Sequence, residues 1–446
     1  MGSKEYMVSI LICMLLLTSC ANKSNKDVTD TEVTTYTTLQ EMIVPEVVER
    51  DETISGHSFI YPKINYLVNK DTEVETNNIC TDLDLNNKLY PYSYYYFRDD
   101  DNLHKAYLDL YNGIYNMSDS IRFDDCKITK EDLNTLLCAM IFDNPDFYYI
   151  RADGDWEVAC DEDGIVVFVN LNYVYSKELI NNNNRILEDS LEEIKQHIPK
   201  DLSRYDLYVW LHDFVIYNIA YRNDTTGIYG DVTAGLIDRH GTCNAFTMTY
   251  VYLCRGLGIQ TACVRGNAGD VHSWNVVPYG ENWMFVDCTM DNIDSDANDW
   301  CKHGLFGYSN KYVTDVLEYV IYEEDSGLNY CPYPKCTDET LLYKDKCGYN
   351  YTLESSDNCL QKVEDLLVNS IDVYDKSYIE VFANNKEVYK EICDTKINSG
   401  NKEFFDMLNN VKQRVTTHSV DLNQVGLSNE GWNNSFVIYV FTENKE

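Results

Sequence analysis

Cys243, His272 and Asp287 follow one another in an order that suits nucleophilic thiol chemistry. A thiol attacks only as its thiolate. A histidine can take the thiol proton and return it to a leaving amine, and a carboxylate can hold the imidazole in one tautomer. What matters is whether the chain brings the three together. Gly241-Thr242-Cys243 precedes a stretch in which Phe246, Tyr250, Leu253 and Leu257 recur at helical spacing, and Gly256-Leu257-Gly258 ends it. This pattern predicts a helix over 244–257, with Cys243 at its first turn. A helix N-terminus favours negative charge and leaves its first N–H groups free of intrahelical partners. Cys243 would gain both a lower thiol pKa and an oxyanion donor in its own amide.

The elements that must supply the other two residues come next. Residues 259–264 read as a strand, 266–270 as a loop, and 271–278 as a strand carrying His272 and Trp274. Residues 279–282 make the turn, and 283–289 read as the return strand carrying Asp287. With 278 facing 283, His272 faces Thr289 and Asp287 faces Trp274. Side chains alternate faces along a strand. His272 and Asp287 are therefore diagonal neighbours on one face, with Cα atoms ~7–8 Å apart. Taken alone, Cys243 can be a core cysteine or half-cystine, His272 a strand filler and Asp287 a turn carboxylate. The combination of order, helix start and hairpin register favours the catalytic reading. His212 lies in another helical stretch with no nucleophile near it in sequence, and is read as structural.

These motifs resemble the transglutaminase-like superfamily, which includes transglutaminases, peptide amidases and microbial thiol proteases. The resemblance rests on Gly241-Thr242-Cys243, Gly258-Ile259, His272-Ser273-Trp274 and Asp287-Cys288-Thr289. Ala245-Phe246 departs from the Gly-aromatic pair of many members. The resemblance implies an α+β, papain-like core in which Cys243, His272 and Asp287 perform acyl chemistry on protein or peptide amides. Cys331 and Cys336 have no second ligand pair, so neither a metal nor a cofactor is expected. The resemblance does not choose between hydrolysis and transfer to an amine. Tyr221 and Tyr229 lie upstream, and neither is assigned as a second oxyanion donor. A scaffold lipoprotein that keeps this fold without turnover is the alternative.

The 446 residues carry a formal charge of −37. A surface that acidic repels nucleic acid and anionic lipid alike. Residues 8–17 are almost wholly apolar, Lys4 precedes them, and Leu17-Thr18-Ser19-Cys20 follows. The apolar run is too short for a spanning helix of about 20 residues. It reads as a secretory signal peptide, 1–19, ending in a lipobox with Cys20 as the lipidated residue. Residues 20–59 read as a polar tether, 60–175 as an N-terminal α+β domain, 176–310 as the catalytic domain, and 311–446 as a C-terminal region with a small α/β domain. In the N-terminal domain a helix starts at Thr129, with Asp132 as a capping-box-like partner, and 147–150 reads as a strand. Fourteen of the 16 cysteines lie beyond Cys20. In an exported chain that number suggests disulfides. The expected location is the outer face of a membrane, held by lipid, with a protein or peptide as the partner.

This reading is testable by fractionation. Cys20→Ser should move the protein from the membrane to the soluble fraction, or leave an unprocessed precursor. A normally cleaved Cys20→Ser protein that stays membrane-bound would exclude the lipid anchor.

Overall fold

The chain is described from a computed structural model over residues 35–37, 58–62, 82, 84, 88–150, 156–222, 230–292, 302–324, 330–346, 352–398, 400–428 and 434–445. The signal segment and Cys20 lie outside these residues. Among the described residues no helix is long and apolar enough to cross a membrane.

Two helices form the backbone of the central region. Helix α1 (Arg204–Asn218) is capped by Ser203, whose side chain accepts from the Asp206 amide. It is buried on all sides, with Tyr205, Trp210, His212 and Phe214 at no measurable exposure. Helix α2 (Cys243–Gly256) packs against it, with Phe246, Tyr250 and Leu253 equally enclosed. Four antiparallel strands cover α2: β1 (Ala262–Asn267), β2 (Val271–Tyr279), β3 (Asn282–Val286) and β4 (Val320–Ile321), in the order β4-β1-β2-β3. The hairpin register is the one read from the sequence. Pro278 pairs with Trp283 and Asn275 with Val286.

The ladder stops there, one residue short of Asp287. The strand expected over 283–289 ends at Val286, and Asp287 caps a one-turn helix, α3 (Cys288–Asp291). An aspartate side chain competes well for free helix amides. Asp287 Oδ1 accepts from the Thr289 and Met290 amides, both at 3.1 Å. The chain is thereby turned out of the sheet.

The flanking regions supply packing. An N-terminal antiparallel sheet runs in the order Thr35–Thr37, Glu157–Cys160, Val166–Asn170, Ser120–Arg122. Its first strand comes from the segment expected as a tether. Helix Lys130–Phe142 starts at a capping box of Thr129 and Asp132, as its sequence indicates. Residues 147–150, expected as a strand, instead form a 3-10 turn (Pro145–Phe147) and its continuation. Phe147, Tyr148 and Tyr149 are all buried there, so tertiary packing overrides their strand propensity. One apolar core runs from these aromatics through α1 and α2.

Arg255 in the last turn of α2 ties the same two regions. Its guanidinium is 3% exposed and bonds Asp84, Asp146 and the Leu89 carbonyl at 3.1–3.2 Å. The segment beyond residue 310 contributes strand β4 and the aromatics Tyr319, Tyr330 and Tyr333 to the outer face of the central sheet. Past residue 351 a second core forms around the strand order Thr352–Leu353, Tyr378–Ala383, Ser435–Asn444, His418–Ser428, with helices Cys359–Tyr374, Lys386–Thr395 and Lys402–Arg414. Among the described residues Cys331 and Cys336 are buried and not joined to each other, and Cys243, Cys254, Cys263 and Cys288 keep free thiols.

Gly266 shows how tightly the outer face is closed. A Cβ there would lie 2.3 Å from the Val320 carbonyl oxygen and 2.6 Å from the Trp274 ring. Gly266→Ala should therefore push β4 and Trp274 apart. Urea denaturation should report a loss of about 1–3 kcal/mol, the usual cost of overpacking. An unchanged midpoint would mean that the β4–β1 edge yields freely.

Candidate active site

Helix α2 presents Cys243 at its first position, after Thr242 in extended conformation. The thiol is partly exposed. Its sulfur neighbours the His272 ring and the Ser273 hydroxyl. His272 is 5% exposed, and its Nε2 sits 2.8 Å from Asp287 Oδ2. That leaves Nδ1 for the thiol. Asp287 is fully buried. Besides the two α3 amides and His272, it accepts a hydrogen bond from the Tyr319 hydroxyl at 3.1 Å. The imidazole is flanked by the Trp274 ring, centroids 5.7 Å apart and 30° between planes, and by the edge of Tyr319. The structure thus sets His272 against Asp287 and places Cys243 at the start of the neighbouring helix.

Several contributors were missed from the sequence. Ser273 lies between His272 and Trp274, and alternation turns it to the opposite face, toward α2. Its hydroxyl meets that of Thr247 at 3.2 Å, and Thr247 gives its proton to the Cys243 carbonyl at 3.0 Å. The Asn244 amide nitrogen holds the Gly230 carbonyl. Arg265, cross-strand from Ser273 and 8% exposed, lays its guanidinium over the Phe142 ring. The strand alternation of Ser273 was a readable signal. Tyr319 had none, since it reaches Asp287 only through the β4 crossing. Tyr221 sits beside Gly241 in a short parallel bridge, and Tyr229 lies outside the described residues. His212 is not part of this cluster. It is buried against Asp213 and Asp291.

The electrostatics follow from these neighbours. Burial pushes the Cys243 thiol up. The His272 ring, then Arg265 and the Ser273 hydroxyl, more than offset this, and the net shift is downward. For His272 burial acts downward, but the Asp287 charge and hydrogen bond and the Cys243 sulfur push its pKa up to about 10. A lowered thiol beside a raised imidazole favours the thiolate–imidazolium form, the one that attacks carbonyl carbon. The thiols of Cys126, Cys254, Cys263, Cys288, Cys331 and Cys336 are all pushed upward, in each case mainly by burial.

Against known proteins, the transglutaminase-like superfamily matches residues 192–288. That span holds α1, α2, the β1–β3 sheet and all three of Cys243, His272 and Asp287. This part of the chain is a transglutaminase-like domain. Among solved structures the chain is similar to a candidate cysteine protease of Cytophaga hutchinsonii, at 17% identity over 30% of this chain and 56% of that one, TM-score 0.21. It is similar also to a TGase, at 16% identity over 31% of this chain and 44% of that one, TM-score 0.22. The chain thus spans about half the length of each. Menin aligns over 70% of this chain and 61% of its own at 10% identity, TM-score 0.23. No curated protein sequence matches the chain.

The site makes a signed prediction. Cys243 should alkylate fastest of the thiols, with a rate that climbs through a midpoint below the ordinary ~8.5. Asp287→Asn removes the charge that keeps His272 protonated, so the midpoint should move up. Tyr319→Phe should slow alkylation at neutral pH about three- to tenfold, the loss of one hydrogen bond to a charged group. Iodoacetamide labelling against pH, mapped by mass spectrometry, reads all three. An unshifted wild-type midpoint would exclude an activated thiol.

Proposed function

We propose that the protein is a thiol enzyme that cleaves or transfers amides of protein or peptide substrates, with Cys243 as nucleophile. The observation that carries this reading is the continuous path from a helix-start thiol through His272 to a fully buried Asp287. Free cysteines buried for packing have no reason to face a histidine that is itself held by a carboxylate.

The steps balance on these residues alone. The Cys243 thiolate adds to the amide carbonyl carbon and forms the C–S bond. The carbonyl electron pair moves onto oxygen, where the Cys243 amide, unused by the helix at its first position, can donate to it. As the intermediate collapses, the C–N bond breaks and the His272 imidazolium protonates the leaving amine. His272, now neutral, takes a proton from water or from an acceptor amine. That nucleophile displaces the sulfur, giving an acid or a new amide. Asp287 holds the ring in place and stabilises the imidazolium. A lipid on Cys20 would place this chemistry at the outer face of a membrane, near surface peptides.

The test is activity-based labelling followed by turnover. A peptidyl electrophile should modify Cys243 in the folded protein, and Cys243→Ala should abolish the modification. With a glutamine-containing protein such as casein, wild-type protein should release ammonia or new peptide termini, or incorporate a primary amine. His272→Ala should lower that rate by at least about a hundredfold. A folded wild-type protein whose Cys243 ignores electrophiles would be a non-catalytic member of the fold.

A further inference from the structure

The most unusual feature outside the thiol site is a row of five ionisable side chains, all inside the protein. His212 and Asp213 come from α1, Asp291 from the end of α3, His303 from the following segment, and Glu380 from strand β5 (Tyr378–Ala383) of the C-terminal region. None is more than 6% exposed. His212 Nε2 lies 3.2 Å from Asp291 Oδ2, and its Nδ1 lies 3.0 Å from Asp213 Oδ1. His303 Nε2 lies 2.7 Å from the same Asp213 oxygen, and its Nδ1 lies 3.0 Å from Glu380 Oε2. The His303 amide also donates to both Glu380 oxygens, at 3.1 and 3.0 Å, and Ser435 donates to one. The Tyr343 ring stacks on His303 at 3.9 Å, and Phe306 meets His212 edge-on. Buried Lys302 precedes His303 in the chain, and the Tyr308 hydroxyl feels both Asp291 and Glu380.

Each imidazole in this row meets a carboxylate oxygen at both of its nitrogens. A neutral imidazole has one N–H and would turn a lone pair toward one of those oxygens. The arrangement is satisfied when both rings carry two protons, so that two imidazolium charges stand among three carboxylates. Consistently, Asp213 and Glu380 outweigh the burial of His303 and push its pKa up to about 10. Buried charges of this kind are tolerated only while every partner is present.

The row ends at the catalytic carboxylate. Asp291 closes helix α3, and its amide donates to the Asp287 carbonyl at 3.3 Å. Both Asp291 carboxylate oxygens accept from the Leu305 amide at 3.0 Å, and the Leu305 carbonyl accepts from the Asp287 amide at 3.1 Å. The turn that aims Asp287 at His272 is therefore clamped by Asp291, and Asp291 is clamped by the row.

We infer that Glu380 and His303 are positioning residues of the active site: through Asp213, His212 and Asp291 they hold helix α3, and with it Asp287, in register with His272. The C-terminal region is then a working part of the enzyme rather than an appendage. This rests on the thiol-enzyme reading above.

The test uses the full mature protein and the pH profile of Cys243 alkylation. Glu380→Gln should move the midpoint upward and slow labelling at neutral pH about tenfold, within the range expected for coupled neighbours. Ser435→Ala, a milder change that removes one hydrogen bond to Glu380, should shift the midpoint in the same direction by less, and it serves if Glu380→Gln does not fold. Arg414→Ala breaks ion pairs with Glu364 and Asp365 elsewhere in the C-terminal region. It should lower thermal stability and leave the midpoint unchanged. A purely structural role for Glu380 would make its variant behave like Arg414→Ala, and that result overturns the inference. So does a stoichiometric divalent metal in the purified protein, because the rings would then hold a cation instead of protons. A wild-type midpoint at the ordinary thiol value would instead remove the thiol-enzyme reading on which the inference stands.

Discussion

The site depends on the burial of one carboxylate. Asp287 has no contact with solvent, and an ionised carboxylate in that position costs several kcal/mol unless its oxygens are occupied. Four donors occupy them: two amides of α3, the His272 ring and the Tyr319 hydroxyl. Much of the local architecture follows from meeting that demand. The return strand must end at Val286 so that a helix start can offer its amides. Strand β4 must cross the sheet edge so that Tyr319 arrives. The imidazole must present Nε2 to the carboxylate, which leaves Nδ1 toward the sulfur.

A downward shift of the Cys243 thiol is unexpected in a chain with a net charge of −37. The resolution is one of distance. Exposed charges are screened over about 8–10 Å of physiological electrolyte. Inside the site His272, Arg265 and the start of α2 act at short range in poorly solvated surroundings. The local positive potential therefore prevails over the acidic surface. That surface still shapes what approaches, and it disfavours anionic polymers.

The three regions of the chain are joined by the same device. Arg255 of α2 enters a pocket of Asp84, Asp146 and a backbone carbonyl from the N-terminal region. Glu380 of the C-terminal region enters one made by His303. Apolar contact alone would permit sliding. A desolvated ion pair has one good geometry, and undocking strips it of its partner, so such contacts specify position even where they add little net stability. Both ties end on elements that carry site residues: α2 bears Cys243, and the segment from α3 to His303 bears Asp287.

How much of this was legible beforehand differs by residue. The helix behind Cys243 could be read from its 3.6-residue spacing and flanking glycines, and the hairpin register from its two strands, because both signals are local and periodic. The order of Cys243, His272 and Asp287 together with that register sufficed to bring them to one place. The exit of Asp287 from the strand was not read, although its chemistry was visible: an aspartate followed by free amides is a cap as readily as a strand residue, and the alternation pattern cannot tell the two apart. Residues 147–150 were misread for a similar reason, since aromatic side chains look the same whether a strand or a turn buries them. Tyr319, Arg265 and the row from Glu380 to Asp291 left no sequence signal at all. Apart from the adjacent His212 and Asp213, their partners lie 32 to 90 positions away or across a sheet. Sequence alone therefore determined the helix that starts at Cys243 and the hairpin that carries His272 toward Asp287. Only the tertiary structure decided what surrounds the carboxylate, because the partners of a buried charge are chosen by proximity in space, and no local periodicity records it.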